Sequence, residues 1–283
     1  MLSLGARAAG HRELARRTLL VSAAADAVSP VLLATDLGRP ERFLNMLRVF
    51  KITSPMSVGS WILAASGAAG GTAAGCEVLG ILPRIKVAAE ATSAALGAPL
   101  ATYTAVLLSD TAIPVWHEAR RELPFVFAAS SAATAGAAGV LAGPPEQSGP
   151  ARRLLLGGMA LTAATTKLME NRLGSAAEPY RQGTAGALMR AAKGLSAAGA
   201  LLAGVEGRRR TVAVTGAALV LAGEVCLRWS VFRAGFQSAR DPKYTVEPQR
   251  RRLEAKESAP EKVEAASQPS SSFRSGHTSR TTS

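Results

Sequence analysis

Three carboxylic acids interrupt or border stretches of sequence that are otherwise apolar. Asp26 and Glu224 lie inside such stretches, and Asp110 directly follows one. A carboxyl group in apolar surroundings is costly unless it is paired or hydrated, so such residues often carry protons. His117 follows shortly after Asp110, and histidine exchanges protons readily near neutral pH. We therefore take Asp26, Asp110, His117 and Glu224 as candidates for a proton path.

The same residues could have structural roles instead. Asp26 or Glu224 could form ion pairs inside a helical bundle, which would remove the need for protonation. The basic residues available for such pairs are Lys167, Arg190 and Arg228. His117 could simply be a solvated residue at a membrane surface. The residue types alone leave both roles open.

The chain contains few residues of the kinds that bind metals. Cys76 and Cys226 are the only cysteines, so the four thiolates of an iron–sulfur cluster cannot come from this chain. Of the three histidines, His11, His117 and His277, only His117 lies near an apolar stretch, which excludes a bis-histidine haem within a bilayer. A glycine-rich nucleotide-binding loop and a His/Cys cluster for zinc are also absent. The sequence therefore predicts no haem, no iron–sulfur cluster and no metal in this chain.

The distribution of charge indicates which elements must position these residues. Three long runs contain no charged residue: residues 52–76 (25 residues), 91–109 (19 residues) and 123–145 (23 residues). A helix of about 20 apolar residues crosses the hydrocarbon core of a bilayer, where ions are expensive. A soluble helix needs a polar face, so its charges recur every few residues. We therefore predict an all-α, polytopic transmembrane helical bundle, and an Ala-rich soluble bundle is the alternative.

We count about seven spans of the length that a bilayer requires. They cover residues 19–35, 57–82, 87–113, 123–141, 154–169, 185–205 and 211–232. From residue 237 onward the composition changes to Arg, Glu, Ser and Pro with few aliphatic residues, which is typical of disordered chain. The predicted organisation is a transmembrane domain of residues 1–236 followed by a basic, disordered tail of residues 237–283.

Three glycines recur at every fourth position of the second span. Gly67, Gly71 and Gly75 would share one helical face and would let the backbone of another helix approach closely. This pattern predicts a helix-packing face. The alternative is a chance spacing, because the chain contains 27 glycines.

The excess of basic residues suggests an orientation in the membrane. The net charge is +13, from 33 Lys and Arg against 20 Asp and Glu. An excess of basic residues is typical of proteins that bind nucleic acid or anionic lipid, and also of loops that flank membrane spans. The charge-free runs favour the loops. With seven spans, 11 of the 33 basic residues lie on the side of the amino terminus and 22 on the other. We therefore expect no nucleic-acid partner, a cytoplasmic carboxyl terminus and an amino terminus outside.

A polar segment with a distinctive order of residues follows the first span. Its polar and turn-forming residues are Asp36, Gly38, Arg39, Pro40, Glu41 and Arg42. Pro40 can occupy the first position of a helix, and Glu41 suits the positive end of the helix dipole. Phe43, Leu47 and Phe50 would then share one face, which predicts a short interfacial helix. Arg39, Glu41 and Arg42 could bind lipid phosphate or could form a salt-bridged loop that caps the bundle, and we favour the cap.

Four ordered motifs resemble the NrfD/PsrC family, the membrane subunits of polysulfide reductase and related molybdenum or cytochrome complexes. The motifs are residues 36–44 (DLGRPERFL), 54–61 (SPMSVGSW), 103–109 with 114–117 (YTAVLLS and PVWH), and 241–249 (DPKYTVEPQ). The resemblance extends over roughly residues 15–252. Family members typically have at least one further span, so this chain looks one amino-terminal helix short.

The resemblance implies a chain without a redox centre that binds menaquinol or ubiquinol in the bacterial cell membrane. It also implies a ferredoxin-like iron–sulfur partner, with a molybdopterin or cytochrome subunit completing the complex. Tyr103 matches the family's Tyr-Thr motif and is the candidate contact to a quinol ring oxygen, although its hydroxyl could merely reach a backbone carbonyl. The expected role is therefore a quinol-interacting subunit. The alternatives are a redox-inactive anchor and a solute or proton transporter.

Overall fold

A computed structural model describes residues 1–36, 38–205, 209–244, 246 and 250. These residues form α-helices and short 3₁₀ helices, and the described part of the chain contains no strand. The α-helices are α1 (Leu2–Ala8), α2 (Arg12–Asp36), α3 (Pro55–Leu79), α4 (Pro83–Ser109), α5 (Pro114–Glu118), α6 (Leu123–Ala142), α7 (Gly149–Leu173), α8 (Gly183–Val205) and α9 (Arg210–Arg240). The 3₁₀ helices are Pro40–Leu47, Pro145–Gln147 and Gly174–Tyr180. The all-α prediction is confirmed.

The long helices run alternately up and down, and side chains at their ends hold this arrangement. Arg17 near the start of α2 donates a hydrogen bond of 3.1 Å to the carbonyl of Ala142 at the end of α6. Arg210 at the start of α9 donates one of 2.7 Å to the carbonyl of Val140, also in α6. We call this end of the bundle face A, where α2 and α4 begin. The opposite end, where α3 and α6 begin, is face B.

Helix α6 lies between two groups of helices. It packs against α2 and α4 on one side and against α7 and α9 on the other. The first group is therefore α2, α3, α4 and α6, and the second is α6, α7, α8 and α9. The short helix α1 packs on α2 and touches α4, α6 and α7 at face A, with Ala6 completely buried.

Five helices are long and apolar enough to cross a membrane: α2, α3, α4, α6 and α9. The other two long helices, α7 and α8, have 25 and 23 residues and carry charged side chains within them. Those charged residues are Arg152, Arg153, Lys167, Glu170 and Arg172 in α7 and Arg190 and Lys193 in α8. The protein is a multi-pass helical membrane bundle, and all seven predicted segments are helical.

Proline and capping residues set several helix boundaries. Pro55, Pro83 and Pro114 lie in the first turns of α3, α4 and α5, where a backbone N–H is not needed. The Ser54 hydroxyl caps the start of α3 by accepting a backbone N–H at 3.4 Å. Gly80 ends α3 in the left-handed conformation, with φ of 68°.

Glycine and alanine allow the helices of this bundle to touch through their backbones. A Cβ atom on Gly136 of α6 would lie 2.3 Å from the backbone nitrogen of Leu155 in α7. A Cβ atom on Gly158 of α7 would lie equally close to the backbone nitrogen of Ala133 in α6. Close contact of this kind stabilises membrane helices by van der Waals packing, which explains a composition rich in small residues and poor in aromatic ones.

The third predicted span, residues 87–113, is divided in the structure. Helix α4 ends at Ser109, and α5 begins at Pro114, whose ring restricts the conformation of the residue before it. Trp116 in α5 is only 4% exposed. Its indole N–H donates a hydrogen bond of 2.8 Å to the carbonyl of Val231 in α9. The short helix therefore docks on α9 and does not extend α4.

The segment after α2 differs from the predicted interfacial α-helix. It is a 3₁₀ helix from Pro40 to Leu47, with about three residues per turn. Phe43 and Leu47 therefore do not share a face. Phe50 lies beyond the helix and packs edge to face on Trp61 of α3, with ring centroids 6.1 Å apart. The predicted register of this segment is wrong.

The chain divides into two compact units, Met1–Arg240 and Asp241–Ser283. Helix α9 continues to Arg240, four residues past the predicted end of the membrane domain at residue 236. In the second unit the backbone N–H of Lys243 donates to Asp241 Oδ1 at 3.0 Å. Most of the predicted tail lies outside the described residues, and its disorder stays a prediction.

Candidate functional site

The face of α3 that packs on α2 and α4 is lined by small residues. Gly59, Ser66 and Gly70 are all buried. Gly59 and Gly70 are separated by about three full turns and therefore lie on the same side of the helix. We call these three residues the small-residue stripe. Two of the residues predicted to have a function, Asp26 and Tyr103, contact it.

Asp26 of α2 meets the small-residue stripe at Gly70. A Cβ atom at position 70 would lie 2.9 Å from Asp26 Oδ2 and 3.4 Å from the Ser93 hydroxyl oxygen of α4. Helices α2, α3 and α4 thus meet where the Asp26 carboxylate lies near the Ser93 hydroxyl, and the absence of a side chain at Gly70 leaves space for these polar groups. Asp26 is half-buried, and none of the ion pairs among the described residues involves it. The structure therefore directs this carboxylate toward α3 and α4.

Tyr103 of α4 meets the small-residue stripe at Gly59. A Cβ atom at position 59 would lie only 1.7 Å from Tyr103 Cε2 and 2.1 Å from Cζ. The phenol ring therefore rests directly on the glycine backbone. Its side chain is half-buried, so part of the residue remains accessible from outside the helix pair.

The predicted residues of this helix group lie at different depths. Tyr103 is ten residues beyond Ser93 on α4, a rise of about 15 Å, so Tyr103 and Asp26 do not touch. Tyr103 lies nearer face B, and Asp26 lies near the middle of the bundle. Asp110 and His117 are exposed at face B. Among the described hydrogen bonds, none joins either of them to Tyr103.

Glu224 lies in the other helix group, and it is only 3% exposed. The Ser130 hydroxyl and the Arg228 guanidinium lie next to its carboxyl group. In the described part of the chain Glu224 Oε2 makes no hydrogen bond of ordinary geometry, but the Ser130 hydroxyl is close enough to interact with the carboxyl group. Arg228 donates to the Ser131 hydroxyl at 3.0 Å and lies 4.7 Å from the ring centroid of Phe127. Of the basic partners predicted for Glu224, the structure places Arg228 beside it.

A cavity of about 480 Å³ lies beside Glu224, between α7, α8 and α9. Its walls are mainly Leu, Met and Ala. The polar residues that line it are Thr162, Thr166, Lys167, Lys193, Ser196 and Glu224. Lys193 Nζ is 2.6 Å from Glu170 Oε1, so that ammonium group already has an acidic partner. Asp26 and Glu224 therefore belong to separate polar sites, one in each helix group.

A third charged cluster, which the sequence reasoning missed, lies at face A. The side chain of Glu90 in α4 is 1% exposed, and its Oε2 accepts a hydrogen bond of 2.9 Å from Arg7 Nε of α1. Glu77 of α3 accepts one of 2.5 Å from Lys86, and Arg16 lies 4.0 Å away. The available sequence signal was that Glu77 and Glu90 border the two charge-free runs of α3 and α4.

The described residues offer hydrogen bonds and protons at these sites. No group of three or more His, Cys, Asp or Glu side chains in the described ranges is arranged to hold a metal ion. Cys76 and Cys226 are free thiols. The carboxyl, hydroxyl and imidazole groups described above can form hydrogen bonds and exchange protons.

Comparison with models of protein families gives a match over most of the chain. The NrfD-type model, described as polysulfide reductase, matches residues 3–240. The chain belongs to the NrfD polysulfide reductase family. The match extends from α1 to the end of α9 and so includes all the long helices of the NrfD bundle. No curated protein and no solved structure gives a significant match.

Membership of the NrfD family implies a membrane subunit of a polysulfide reductase-like complex. The polar NrfD segment begins where α2 ends, at Asp36. Gly38 has φ of 65°, a conformation that favours glycine, and it turns the chain into the 3₁₀ helix. Arg39 and Glu41 are exposed, whereas the side chains of Asp36, Pro40 and Arg42 lie outside what the structure describes. The capping role of this segment stays a prediction.

Proposed function

We propose that this NrfD-family chain is the quinol-interacting membrane subunit of a multi-subunit oxidoreductase, passing electrons between the quinone pool and an iron–sulfur partner. The observation that carries the proposal is the contact between Tyr103 and Gly59 inside the first helix group. These residues lie in two different motifs of the resemblance, residues 54–61 and 103–109. Two separated motifs are thus joined at one point between apolar helices.

The position of Tyr103 between α3 and α4, two helices apolar enough to cross a membrane, supports this assignment. A quinol ring needs an apolar slot and a hydrogen-bonding group for each of its oxygens. Tyr103 carries a hydroxyl that can donate or accept. The small-residue stripe keeps bulky side chains out of the interface between α2, α3 and α4. We assign Tyr103 the hydrogen bond to one ring oxygen.

Oxidation of a quinol also releases protons, and the first helix group contains groups that can take them. Asp26 lies in the same group as Tyr103, with Ser93 close by. Asp110 and His117 lie exposed at face B, where they can exchange protons with water. We assign these three residues to proton transfer, with Glu224 serving the second helix group.

Electrons have to leave this chain because its two cysteines cannot hold an iron–sulfur cluster. We therefore assign the clusters to a ferredoxin-like partner subunit and the final chemistry to a molybdopterin or cytochrome subunit. We assign the carboxyl terminus to the cytoplasmic side of a bacterial cell membrane, because more of the basic residues lie on that side of the predicted spans. Membrane lipid surrounds the apolar helices.

The proposal is tested by binding of a fluorescent hydroxyquinoline N-oxide, a quinol analogue, to the full-length chain in lipid nanodiscs. We expect saturable quenching of its fluorescence. Loss of one hydrogen bond in Tyr103→Phe should weaken binding about three- to tenfold. Tyr180→Phe is the matched control, because it makes the same chemical change at a buried tyrosine outside the first helix group and should bind as the natural chain does. Absence of quenching, or equal binding by Tyr103→Phe and the natural chain, would contradict the proposal. The remaining interpretation would be a redox-inactive membrane anchor.

A further inference from the structure

We propose that a cavity at the face B end of α8 and α9 binds the phosphate group of an anionic membrane phospholipid. The cavity has a volume of about 470 Å³ and lies between the start of α8 and the last three turns of α9. We call it the face B cavity. Its lining residues are Gly183, Thr184, Phe232, Arg233, Phe236, Gln237 and Arg240. The proposal is independent of quinol binding, because none of these residues has a role in the proposed function.

Two arginines of the face B cavity carry charges that no acidic group of the described chain neutralises. Arg233 and Arg240 are exposed, and none of the ion pairs among the described residues involves them. Residues three and four positions apart share a helix face, so Arg233, Gln237 and Arg240 lie on one side of α9. Guanidinium groups bind phosphate oxygens through paired N–H donors. This side of α9 is therefore suited to an anion that comes from outside the chain.

The length of α9 brings these arginines to the level of the lipid head groups. The helix has 31 residues and is therefore about 46 Å long, whereas the hydrocarbon core of a bilayer is about 30 Å thick. If Arg210 at face A marks one edge of the core, about 20 residues reach the other edge. Arg233 then lies about one turn beyond that edge, and Arg240 lies about two turns further toward water. Lipid phosphates occupy the same layer.

An aromatic cluster next to the arginines independently marks the same depth. Trp229, Phe232 and Phe236 are large apolar residues that remain exposed. The ring centroids of Phe232 and Phe236 are 4.8 Å apart, and both rings contact Trp116 of α5. Aromatic residues, tryptophan above all, concentrate where a bilayer meets water. The two phenylalanines give the cavity an apolar wall for the glycerol backbone and the upper part of the acyl chains.

Uncharged polar groups complete the lining. The Gln237 amide lies against the start of α8, where a Cβ atom on Gly183 would be 3.4 Å from Gln237 Oε1. Because Gly183 has no side chain, the two helices can approach closely here. The Thr184 hydroxyl and the Gln237 amide can both donate hydrogen bonds to phosphate oxygens. The cavity therefore offers neutral donors between its two cations.

The composition of the lining favours an anionic phospholipid over other ligands with a negative charge. Phosphatidylcholine and phosphatidylethanolamine carry a cation beside the phosphate, and the cavity has no carboxylate to pair with it. Phosphatidylglycerol has no such cation. A free phosphate ion or an acidic protein segment would satisfy the arginines but would leave the apolar wall of Phe232 and Phe236 uncovered. We therefore assign the cavity to a lipid of the phosphatidylglycerol type.

Native mass spectrometry of the full-length chain tests this assignment. The chain in detergent is titrated with phosphatidylglycerol and, separately, with phosphatidylcholine of the same acyl chains, and the bound lipids are counted. We expect the first phosphatidylglycerol to bind about tenfold more tightly than phosphatidylcholine. The double variant Arg233→Gln and Arg240→Gln should lower the affinity for phosphatidylglycerol about 10- to 30-fold, because each basic residue at a membrane surface contributes about 1 kcal/mol. Its affinity for phosphatidylcholine should not change.

Two further double variants separate the cavity from the general charge of the protein. Arg121→Gln with Arg153→Gln removes the same charge from exposed arginines outside the cavity and should bind phosphatidylglycerol as the natural chain does. Arg233→Lys with Arg240→Lys keeps the charge and should retain most of the preference for phosphatidylglycerol. Folding is checked by the thermal unfolding midpoint of each variant, which should match that of the natural chain because all four side chains are exposed.

Several outcomes would overturn the assignment. Equal binding of the two lipids by the natural chain would show that the cavity does not select an anionic lipid. Equal losses in the cavity variant and in the Arg121 and Arg153 variant would show that only net charge matters. Displacement of phosphatidylglycerol by excess inorganic phosphate would identify a site for free anions. Binding of a polyglutamate peptide that phosphatidylglycerol does not displace would identify a docking surface for an acidic protein.

Discussion

The ring of Tyr103 lies on the backbone of Gly59, so closely that a single methyl group at position 59 would overlap it. The contact joins α3 to α4 near face B. Because the ring needs the absence of a side chain at position 59, the position of the phenol depends on that glycine. The two residues therefore form one structural unit within the first helix group.

Substitution of this glycine should displace the tyrosine. In Gly59→Ala the new Cβ would lie 1.7 Å from Tyr103 Cε2, so the ring or the helix must move. We expect a loss of stability of about 1–3 kcal/mol, as for other overpacked positions, together with weaker binding of the quinol analogue. Gly67→Ala on the same helix is the control, because a Cβ there meets no atom within 4 Å. Thermal unfolding and fluorescence quenching measure the two effects, and equal behaviour of both variants would contradict the contact.

The buried pair at face A should be sensitive to loss of its basic partner. Arg7→Ala leaves the Glu90 carboxylate, whose side chain is 1% exposed, without its ion pair. We expect a destabilisation of about 3–5 kcal/mol, largely recovered when Glu90 is also replaced by Met. Arg17→Ala is the control, because Arg17 forms only an exposed pair with Glu13 and an exposed hydrogen bond to the Ala142 carbonyl, together worth about 1–2 kcal/mol. The measurement is the unfolding midpoint of the four chains in one detergent, and the account fails here if Arg7→Ala costs no more than Arg17→Ala.

Adjacent glycines on α7 should respond in opposite ways. A Cβ on Gly158 would lie 2.3 Å from the backbone nitrogen of Ala133, whereas one on Gly157 meets nothing within 4 Å. Gly158→Ala should therefore separate α6 from α7 and destabilise the protein by about 1–3 kcal/mol. Gly157→Ala should be neutral or stabilising by up to about 1 kcal/mol, because alanine favours the helix. Thermal unfolding of the two variants provides the comparison, and a smaller effect at position 158 would contradict the close contact of α6 with α7.

Tyr180 offers a prediction about alkaline pH. Its hydroxyl is buried without a hydrogen-bond partner in the described chain, and burial raises the pKa of this phenol above its ordinary value near 10. The neutral phenol is thus favoured in the folded state. The contribution of the neutral Tyr180 phenol to the free energy of unfolding is complete below about pH 10. It is lost as the pH rises toward the pKa of the phenol in the folded state.

In Tyr180→Phe this titration is absent, and the unpartnered oxygen is removed. We expect the variant to equal or exceed the natural chain in stability by about 1 kcal/mol at neutral pH. Its advantage should widen above about pH 10, since only the natural chain then loses stability. Unfolding midpoints between neutral pH and strongly alkaline pH measure the difference. A difference that shrinks with rising pH would show that the phenol is not held neutral by burial.

The helices themselves could be predicted from the sequence because ions are expensive in a bilayer. The charge-free runs at residues 52–76, 91–109 and 123–145 correspond to most of α3, α4 and α6. Asp26 and Glu224 were recognised for the same reason, as charges in apolar surroundings. Helix ends were harder to place, because α9 continues through the charged residues Arg233 and Arg240, where charge ceases to distinguish membrane from solvent.

Contacts between helices could not be predicted with the same rules. The glycine repeat Gly67, Gly71 and Gly75 predicted a packing face, yet no neighbouring atom in the described structure lies within 4 Å of a Cβ built there, so the repeat does not pack on another described helix of this chain. The packing face is the one that carries Gly59 and Gly70. Spacing along one helix identifies a smooth face but not the side on which its neighbours lie. The pairing of Arg7 with Glu90 is hidden for the same reason, because it joins helices far apart in sequence.

The central claim is most directly tested by electron transfer from quinol through the assembled complex. The complex purified with its natural partners would be mixed with ubiquinol or menaquinol, and reduction of the partner's iron–sulfur clusters followed by electron paramagnetic resonance. We predict rapid reduction that is slowed about three- to tenfold by Tyr103→Phe and left unchanged by Tyr180→Phe. Clusters that stay oxidised in the presence of either quinol, or that are reduced equally fast in the Tyr103→Phe complex, would contradict the account.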